Sequence, residues 1–356
     1  MKYRLGCLTF ALIALCGACL PAAASAQDIT IQDITIQGKT FYKDGRPWML
    51  KGVDVAGLSK SPHQRAKDKG AAQAKEYWND AEIKAIKNTF GVDTLRLQVS
   101  PAGLDPQSPD YDPNYISELQ QNIASVRKMG FAVIVVMDAQ QDHPTGSPEG
   151  CMPSDNVARG WKTIAPSLIH DTGVMFELFD EPCKWMNNQT KAEWAHGMQN
   201  LINTVRGLGS TNILLLDGLW WARTTNGLFP LVHDTLTNRM ALAVHPYPLK
   251  DIYVNEKQWH DQFGASAAQY PMIATEWNVT ANSCAVEDTP ALALTSVRYL
   301  QSLRIGLVGW GIDSNYGKLV KDHTSFEPTD YSTFTGCIRT PGDSGSGKLL
   351  AHYPNN

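Results

Sequence analysis

The sequence predicts an α/β fold: a closed (β/α)8 TIM barrel in a single domain, with a short N-terminal β-hairpin as a cap. Apolar runs of strand length recur along the chain, and helical stretches separate most of them. The runs are nearly continuous in apolar residues, as expected of parallel strands covered on both faces. An open doubly wound sheet would need a phosphate-binding glycine turn after its first strand, and residues 51–57 lack that pattern.

The first 26 residues have the pattern of a secretory signal peptide. Lys2 and Arg4 form a basic start, residues 8–20 are apolar, and Ala24-Ser25-Ala26 is a small-residue cleavage site. A lipoprotein signal is the alternative, but the residues before its candidate cysteines fit poorly. We therefore expect residues 27–356 to be one mature domain, secreted or periplasmic and without a membrane anchor once the signal is removed.

The N-terminal cap and the barrel elements follow in order. Residues 28–37 repeat Asp-Ile-Thr-Ile-Gln, an alternating strand pattern, and should pair with residues 40–42; Asp44-Gly45 is a hairpin turn signal. The predicted barrel strands are 49–53, 92–97, 132–137, 174–179, 213–216, 241–244, 272–274 and 307–310. The predicted helices are 71–89, 117–129, 155–169, 191–208, 290–303 and a closing helix within 344–353.

Composition excludes several classes of partner. The formal net charge is −4, and removal of the basic leader makes the chain more acidic. This argues against nucleic acid and anionic membranes as partners. No linker rich in proline or serine divides the mature chain, so we expect no appended module, and we expect a monomer.

Four of the seven cysteines remain after the leader: Cys151, Cys183, Cys284 and Cys337. An even number in an exported protein predicts disulfides, and three pairings are open. We favour Cys151–Cys183 and Cys284–Cys337, because those loops should be neighbours in the barrel. Free or metal-binding thiols are the alternative, although no Cys-x-x-Cys spacing supports a metal.

Two carboxylates are the main candidates for chemistry. Glu181 and Glu276 each follow an apolar run that reads as a buried strand. A carboxylate at such a strand end is costly to bury and usually faces a cleft. A pair of them about 5 Å apart would suit a retaining glycosidase, with one acid/base and one nucleophile. For each of the two glutamates, the alternative interpretation is a solvated loop carboxylate or a salt-bridge partner.

Several strand-end residues, taken in order, resemble glycoside hydrolase family 5, the cellulase and mannanase group. They are Gly52, Arg96, Glu181-Pro182, His245-Pro246-Tyr247, Glu276-Trp277 and Trp310. The resemblance covers most of the mature chain and implies that Glu181 is the acid/base and Glu276 the nucleophile, with no cofactor or metal. On that mechanism Glu181 needs a raised pKa, part of which the charge of Glu276 would supply.

Arg96 lies in an otherwise apolar strand, and a buried guanidinium needs an anionic partner. Glu276 is the natural partner, and the contact would keep the nucleophile ionised. A pair with Asp138 or Asp93 at the edge of the core is the alternative.

The resemblance also implies substrate contacts. It gives His245 contacts to the sugar in the cleaved site and brings the Tyr247 hydroxyl near the nucleophile. A hydrogen-bonded core histidine and an aromatic lid are the alternative. The indole of Trp310 offers a stacking surface for a pyranose, and Trp220 is a further candidate among the ten tryptophans.

Two positions depart from the family pattern. Asp180 precedes the acid/base, where the family usually has asparagine, and an ionised carboxylate can only accept from the sugar 2-hydroxyl. A protonated amine at carbon 2, as in chitosan, would pair with an ionised Asp180. Gln140 stands where the family often has a histidine after the third strand, and His143 is close enough in sequence to substitute.

The leading hypothesis is a secreted retaining endo-β-glycosidase that hydrolyses a β-1,4-linked polysaccharide, with cellulose-type glucan favoured. The alternatives are a mannan or chitosan hydrolase of the same fold, an exo-acting glycosidase, and a catalytically silent barrel that binds a polysaccharide or oligosaccharide.

Overall fold

The computed structural model describes residues 33–142, 150–248, 253–279, 289–312, 319–333 and 345–355. Eight parallel strands close into a barrel in the order β10-β11-β4-β5-β6-β7-β8-β9, and a three-stranded antiparallel sheet precedes it. The predicted barrel fold and N-terminal cap are therefore confirmed. The predicted signal peptide, His143, Cys284 and Cys337 lie outside the described residues.

All eight predicted barrel strands are present, with ends that shift by at most three residues. The strands of the cap are β1 Ile34–Gln37, β2 Thr40–Lys43 and β3 Arg46–Pro47. The barrel strands are β4 Lys51–Val55, β5 Thr94–Val99, β6 Ala132–Met137, β7 Val174–Glu177, β8 Leu214–Asp217, β9 Met240–Val244, β10 Met272–Trp277 and β11 Gly306–Gly309.

Helical segments connect the strands. They are α1 Pro62–Lys67, α2 Lys69–Glu76, α3 Asp80–Phe90, α4 Pro101–Leu104, α5 Pro113–Lys128, α6 Asp155–Ile164, α7 Asn188–Gly207, α8 Leu219–Ala222, α9 Glu256–Trp259, α10 Ala265–Ala267, α11 Pro290–Ser302 and α12 Gly347–His352. The longer ones pack outside the barrel, and α8 is a short left-handed turn after β8. Among the described residues, none of these helices combines the length and the apolar character that a membrane span requires.

The single helix predicted over 71–89 is wrong, because the chain forms α2 and α3 there. The Asn79 side chain accepts hydrogen bonds from the backbone N–H groups of Ala81 and Glu82, which starts α3 afresh. Gly91 ends α3 in the left-handed conformation, with φ of 61°.

The inward-facing side chains of the barrel change from apolar to charged along each strand. Residues two apart point the same way, so Met175 and Glu177 share a face on β7, as Leu215 and Asp217 do on β8. The apolar layer and the cap form one buried cluster, which contains Ile34, Ile36, Phe41, Leu50, Ala132, Ile134, Met175, Ile213, Leu215, Ala241, Ala243, Ile273 and Val308. The cap thus closes the N-terminal end of the barrel, and polar groups collect at the C-terminal end.

Two buried indoles from the helices fix the strand ends that carry the polar groups. Trp161 of α6 donates its ring N–H to the Leu178 carbonyl at 2.9 Å. Trp194 of α7 donates to the Asp217 carbonyl at 2.8 Å. Both side chains are fully buried, so the C-terminal ends of β7 and β8 are held by packing as well as by hydrogen bonds.

Candidate active site

A single guanidinium organises the polar end of the barrel. Arg96 of β5 is fully buried and hydrogen-bonds four carboxylates. Its partners are Glu177 (2.7 and 3.0 Å), Asp54 (2.6 Å), Glu276 (2.5 Å) and Asp180 (2.5 Å). The expected contact with Glu276 is present, and three further acids share the same side chain. Because all five donors of an arginine lie in one plane, these bonds also fix the orientation of the acids.

A β-bulge brings two consecutive residues of β10 into the site. The register of β10 against β11 shifts between Ala274 and Trp277, which breaks the alternation of side chains. Thr275 then bonds the Nε2 of His245 at 3.0 Å, while Glu276 reaches Arg96. A regular strand would have sent one of these two side chains to the outer face.

Three donors hold the Glu276 carboxylate. Besides Arg96, the Tyr247 hydroxyl donates to Oε2 at 2.8 Å and the Gln98 amide donates to Oε1 at 3.3 Å. Burial raises the pKa of Tyr247 well above its usual value, and the charge of Glu276 raises it more. The phenol therefore stays protonated and keeps donating its hydrogen bond. The Glu276 side chain retains 6% exposure, which leaves one edge open to the cleft.

Glu181 lies in the loop after β7, in a strained backbone conformation with φ of 50°. Its backbone N–H donates to Oδ2 of Asp217 at 2.8 Å. Its carboxylate meets the Nδ1 of His245 at 2.9 Å and accepts from the Gln140 amide at 3.3 Å. The side chain is 17% exposed, more than any other acid of the cluster.

Glu181 and Glu276 face each other across His245. The Nδ1 of His245 lies 3.5 Å from Oε2 of Glu276, and the ligand atoms of all three residues lie within 4.8 Å of one another. Carboxyl groups at this separation suit direct attack by one of them on a sugar held between the pair, whereas a water molecule interposed for inversion needs about 6.5–9.5 Å.

The site holds more acids than cations. Six carboxyl groups (Asp54, Glu177, Asp180, Glu181, Asp217, Glu276) lie around Arg96 and His245. Burying that many negative charges is unfavourable, so some of the acids must carry protons. Burial and the charge of Glu177 raise the pKa of Asp217 well above its usual range. Burial raises the pKa of Asp180 to about 8, with Glu276 and Glu181 adding to the effect against Arg96.

The expected raised pKa of Glu181 is wrong for the free protein. Burial alone would raise it, but the hydrogen bond and charge of His245, with Arg223 and Gln140, hold the pKa of Glu181 below its usual range. Burial instead raises the pKa of Glu276 to about 7 against the opposing charges of His245 and Arg96. The pKa of His245 is raised despite burial, because the surrounding carboxylates stabilise the imidazolium.

Aromatic side chains line two opposite walls of the barrel mouth. Trp310 follows β11, and its ring meets the edge of Tyr247 at a centroid distance of 6.4 Å. Trp220 follows β8 and is only 6% exposed, because Trp185 stacks on it with ring centroids 4.3 Å apart. The aromatic face open to solvent on that wall therefore belongs to Trp185, which is 63% exposed.

The predicted disulfide Cys151–Cys183 is present, with Cα atoms 5.0 Å apart. It ties the loop just after Glu181 to the segment before α6. The backbone N–H of Cys183 also donates to the Cys151 carbonyl at 2.9 Å, so the loop that carries Glu181 is anchored twice.

In the part of the chain that the structure describes, two overlapping groups of side chains lie close enough to bind a cation. They are Glu177, Asp180, Asp217 and His245, and Glu181, His245 and Glu276. In the first group, however, the Arg96 guanidinium already occupies Glu177 and Asp180. This donor set therefore suits an internal cation, the arginine, and shared protons.

Three residues of the cluster were missed in the sequence. Asp54, Glu177 and Asp217 are each at most 1% exposed. Each is a carboxylate inside or at the end of an apolar strand run, the same signal that identified Glu181 and Glu276. Searching within the runs, as well as beyond their ends, would have found all three.

Comparisons of fold find solved structures with the same barrel. The native form of β-glucanase SdGluc5_26A from Saccharophagus degradans superimposes with a TM-score of 0.65 at 22% identity, covering 86% of this chain and 94% of that chain. The catalytic domain of the major endoglucanase from Xanthomonas campestris pv. campestris gives 0.62 at 16% identity, over 82% and 95%. β-Mannanase from Thermomonospora fusca gives 0.60 at 16% identity, over 84% and 92%. At these identities the likeness concerns the fold alone.

Sequence comparison adds the family. No curated protein matches the chain in a sequence search. The family profile of cellulase (glycosyl hydrolase family 5) matches residues 50–316, which is most of the chain and includes every barrel strand. The chain therefore belongs to glycosyl hydrolase family 5 and is a glycoside hydrolase.

Proposed function

We propose that this glycoside hydrolase is a retaining endo-β-glycosidase that cleaves a β-1,4-linked polysaccharide, with cellulose-type glucan as the favoured substrate. The observation that carries the proposal is the pair Glu181 and Glu276, each of which places one carboxylate oxygen within 4.8 Å of the other across His245. That spacing is shorter than the separation of about 6.5–9.5 Å that an inverting enzyme needs for its water.

In this mechanism Glu276 attacks the anomeric carbon. Arg96, Tyr247 and Gln98 orient its carboxylate and stabilise the ionised form. The charges of His245 and Arg96 oppose the effect of burial on its pKa. Attack forms a glycosyl ester, which neutralises one of the crowded negative charges of the site.

Glu181 transfers the proton to the leaving oxygen. In the free protein the proton is held by His245, whose Nδ1 lies 2.9 Å from the Glu181 carboxylate. When a sugar excludes water from the cleft, the proton moves along that bond to Glu181 and on to the leaving group. Glu181 then activates the water that hydrolyses the ester.

Asp180 acts as a neutral acid in this proposal. Its Oδ1 accepts from Arg96, and its pKa is raised to about 8, so at neutral pH the carboxyl carries a proton that it can donate. A neutral Asp180 can donate a hydrogen bond to a sugar 2-hydroxyl, as an asparagine amide would. It does not attract an amine at carbon 2, which counts against chitosan.

Related structures guide the choice of polymer. The β-glucanase SdGluc5_26A has been crystallised with cellotetraose, and mannanases share the fold at comparable similarity. Glucan is therefore the first substrate to test and mannan the second. A silent polysaccharide-binding barrel is disfavoured, because hydrogen-bond donors orient the carboxylates of both Glu181 and Glu276.

We also propose that residues 1–26 direct export and that residues 27–356 are the mature catalytic domain. The Cys151–Cys183 disulfide supports an oxidising compartment, since such bonds are rare in the cytosol.

A reducing-sugar assay on β-glucan, mannan and chitosan tests the proposal, with Glu276→Gln as the matched variant. The amide keeps the size of the side chain but cannot attack, so we expect a loss of about 10³-fold or more. Proton NMR of the first product should show the β-anomer. Equal product release by the parent and Glu276→Gln, or an initial α-anomer, contradicts the proposal.

A further inference from the structure

Asp217 is a buried carboxyl group of the site to which the proposed mechanism gives no role. It ends β8, and its Oδ2 accepts a hydrogen bond from the backbone N–H of Glu181 at 2.8 Å. Its Oδ1 is buried and, among the residues that the structure describes, meets no N–H or hydroxyl donor. Asp217 and Glu177 nevertheless form a side-chain hydrogen bond, although both are acids. A bond between two carboxyl groups requires that one of them carry a proton.

The contacts of the two acids place this proton on Asp217. Both oxygens of Glu177 accept from the Arg96 guanidinium, at 2.7 and 3.0 Å, and this bidentate contact stabilises the ionised form of Glu177. Burial and the charge of Glu177 raise the pKa of Asp217 well above its usual range. Because Oδ2 of Asp217 already accepts from Glu181, the proton lies on Oδ1, from which it is donated to Glu177.

The other groups around Asp217 do not replace this proton. Nε2 of His245 lies 3.7 Å from Oδ2 of Asp217 and is bonded to Thr275 at 3.0 Å. The charge of Asp180 acts on Asp217 in the direction that favours the proton. The ring N–H of Trp194 donates to the backbone carbonyl of Asp217 and leaves the carboxyl group free of that contact. Asp217 is therefore a neutral side chain with one donor and one acceptor.

The acceptor atom of Asp217 holds a backbone that needs support. Glu181 has φ of 50°, a conformation that is unfavourable for a residue with a Cβ and persists where surrounding contacts maintain it. His245 and Gln140 orient the Glu181 carboxylate, at 2.9 and 3.3 Å, while Asp217 binds the backbone N–H. Loss of the Asp217 contact would leave this N–H without its acceptor and would let the carboxylate move.

We propose that Asp217 is a positioning residue for Glu181: its neutral carboxyl group donates to Glu177 through Oδ1 and holds the Glu181 backbone through Oδ2. The proposal rests on the proposed function, in which Glu181 protonates the leaving oxygen. Arg96 binds both Glu177 and Glu276. One chain of hydrogen bonds thus connects the backbone of the proton donor to the guanidinium that orients the nucleophile.

Two substrates separate a misplaced proton donor from a general loss of structure. Cleavage of cellotetraose requires protonation of the leaving oxygen, whereas 2,4-dinitrophenyl β-cellobioside releases a stabilised phenolate without it. Asp217→Leu is similar in size but can neither donate nor accept. We expect it to lower kcat/KM about 100-fold on cellotetraose and less than about threefold on the aryl cellobioside.

Asp217→Asn is the conservative variant. Its amide can donate to Glu177 and accept from the Glu181 N–H, so kcat/KM should stay within about fivefold of the parent on both substrates. The matched control is Asp234→Asn, which changes another buried aspartate, paired with Arg206 at 2.7 Å and placed before β9, at the other end of the barrel. It should change neither rate at temperatures where it is folded. Equal losses on both substrates in Asp217→Leu, or no loss on cellotetraose, overturn the positioning role.

Infrared spectroscopy tests the neutral carboxyl group without turnover and without the leucine variant. The difference spectrum between the parent and Asp217→Asn at pH 7 should contain the C=O band of a protonated carboxyl group. The difference spectrum for Asp234→Asn should contain the bands of a carboxylate instead. Carboxylate bands for both variants overturn the proposal. A parent that hydrolyses neither substrate overturns the proposed function, and the positioning role with it, while the infrared result still decides whether Asp217 is neutral.

Discussion

The two ends of the barrel interior are built from the same strands and carry opposite kinds of side chain. At the N-terminal end, Met175 and Leu215 belong to an apolar cluster that the cap closes. Two residues further along the same strands, Glu177 and Asp217 belong to a cluster of six carboxyl groups. The comparison shows that the two ends have different roles. The apolar N-terminal end stabilises the fold by packing, and the C-terminal end holds the charged groups available for chemistry.

The largest expected effect on folding lies at the charged end. Arg96→Met should destabilise the protein by about 3–5 kcal/mol at pH 7, because it leaves four buried carboxyl groups without their common cation. The loss should be smaller at pH 5, where those groups take up protons. Chemical denaturation at the two pH values measures this.

The control is Lys257→Met, which breaks a solvent-exposed pair with Asp261 and should cost no more than about 1 kcal/mol. Similar losses of stability for the two variants would mean that Arg96 does not stabilise the buried carboxyl groups more than an exposed ion pair would.

At the apolar end, Leu215→Ala should destabilise by about 2–5 kcal/mol and leave kcat/KM unchanged at temperatures where the variant is folded. The lost methyl groups leave a cavity in the layer below the site. Leu231→Ala, at an exposed position, should cost less than about 0.5 kcal/mol. A large fall in activity for folded Leu215→Ala would show that the two ends are not separable.

The pH dependence of kcat/KM should reveal the crowding of acids. Glu276 must be ionised to attack, and its pKa is raised to about 7, so activity should fall as pH drops through about 7. Tyr247→Phe removes a donor to the ionised form, which raises the pKa of Glu276 and moves this acid limb to higher pH. An acid limb near pH 4 in the parent would contradict the raised pKa.

The smallest expected effect on activity is at Asp180. Because its folded pKa is raised to about 8, the folded protein binds this proton more tightly than the unfolded chain does, and stability is lost as pH rises from about 4 to about 8. Asp180→Asn removes that loss, so its Tm relative to that of the parent should rise as the pH increases from 4 to 9.

Turnover of Asp180→Asn at pH 7 should remain within about tenfold of the parent, because a neutral acid and an amide can both donate. A fall of several hundredfold, or a Tm gain that does not grow with pH, would show that Asp180 is ionised in the native protein.

The contrast between the apolar and charged ends also explains how much of the structure could be predicted from the sequence. The eight strands were predictable because buried parallel strands must be apolar on both faces, and Glu181 and Glu276 stand out where such runs end. Asp54 was missed although it directly follows a predicted run, and its contact with Arg96 depends on the register of β4 against β5. Such pairing across the barrel requires coordinates.

Two local distortions were also beyond the sequence. The bulge in β10 places Thr275 and Glu276 on the same side, and no glycine or proline marks it. The left-handed turn at Trp220 and Trp221 uses residues that normally avoid positive φ, so propensity points away from it. Both are sites where tertiary contacts override local preference, and both lie beside the cleft.

Labelling with 2-deoxy-2-fluoro-β-cellobiosyl fluoride, followed by mass spectrometry of peptides, tests most directly whether Glu276 and Glu181 divide the reaction between them. The fluorine slows hydrolysis of the ester more than its formation, so a nucleophile remains glycosylated. We expect one sugar per chain, attached to Glu276, and faster recovery of activity in the parent than in Glu181→Gln. A label on Glu181, or no label on a protein that cleaves glucan, would contradict the account.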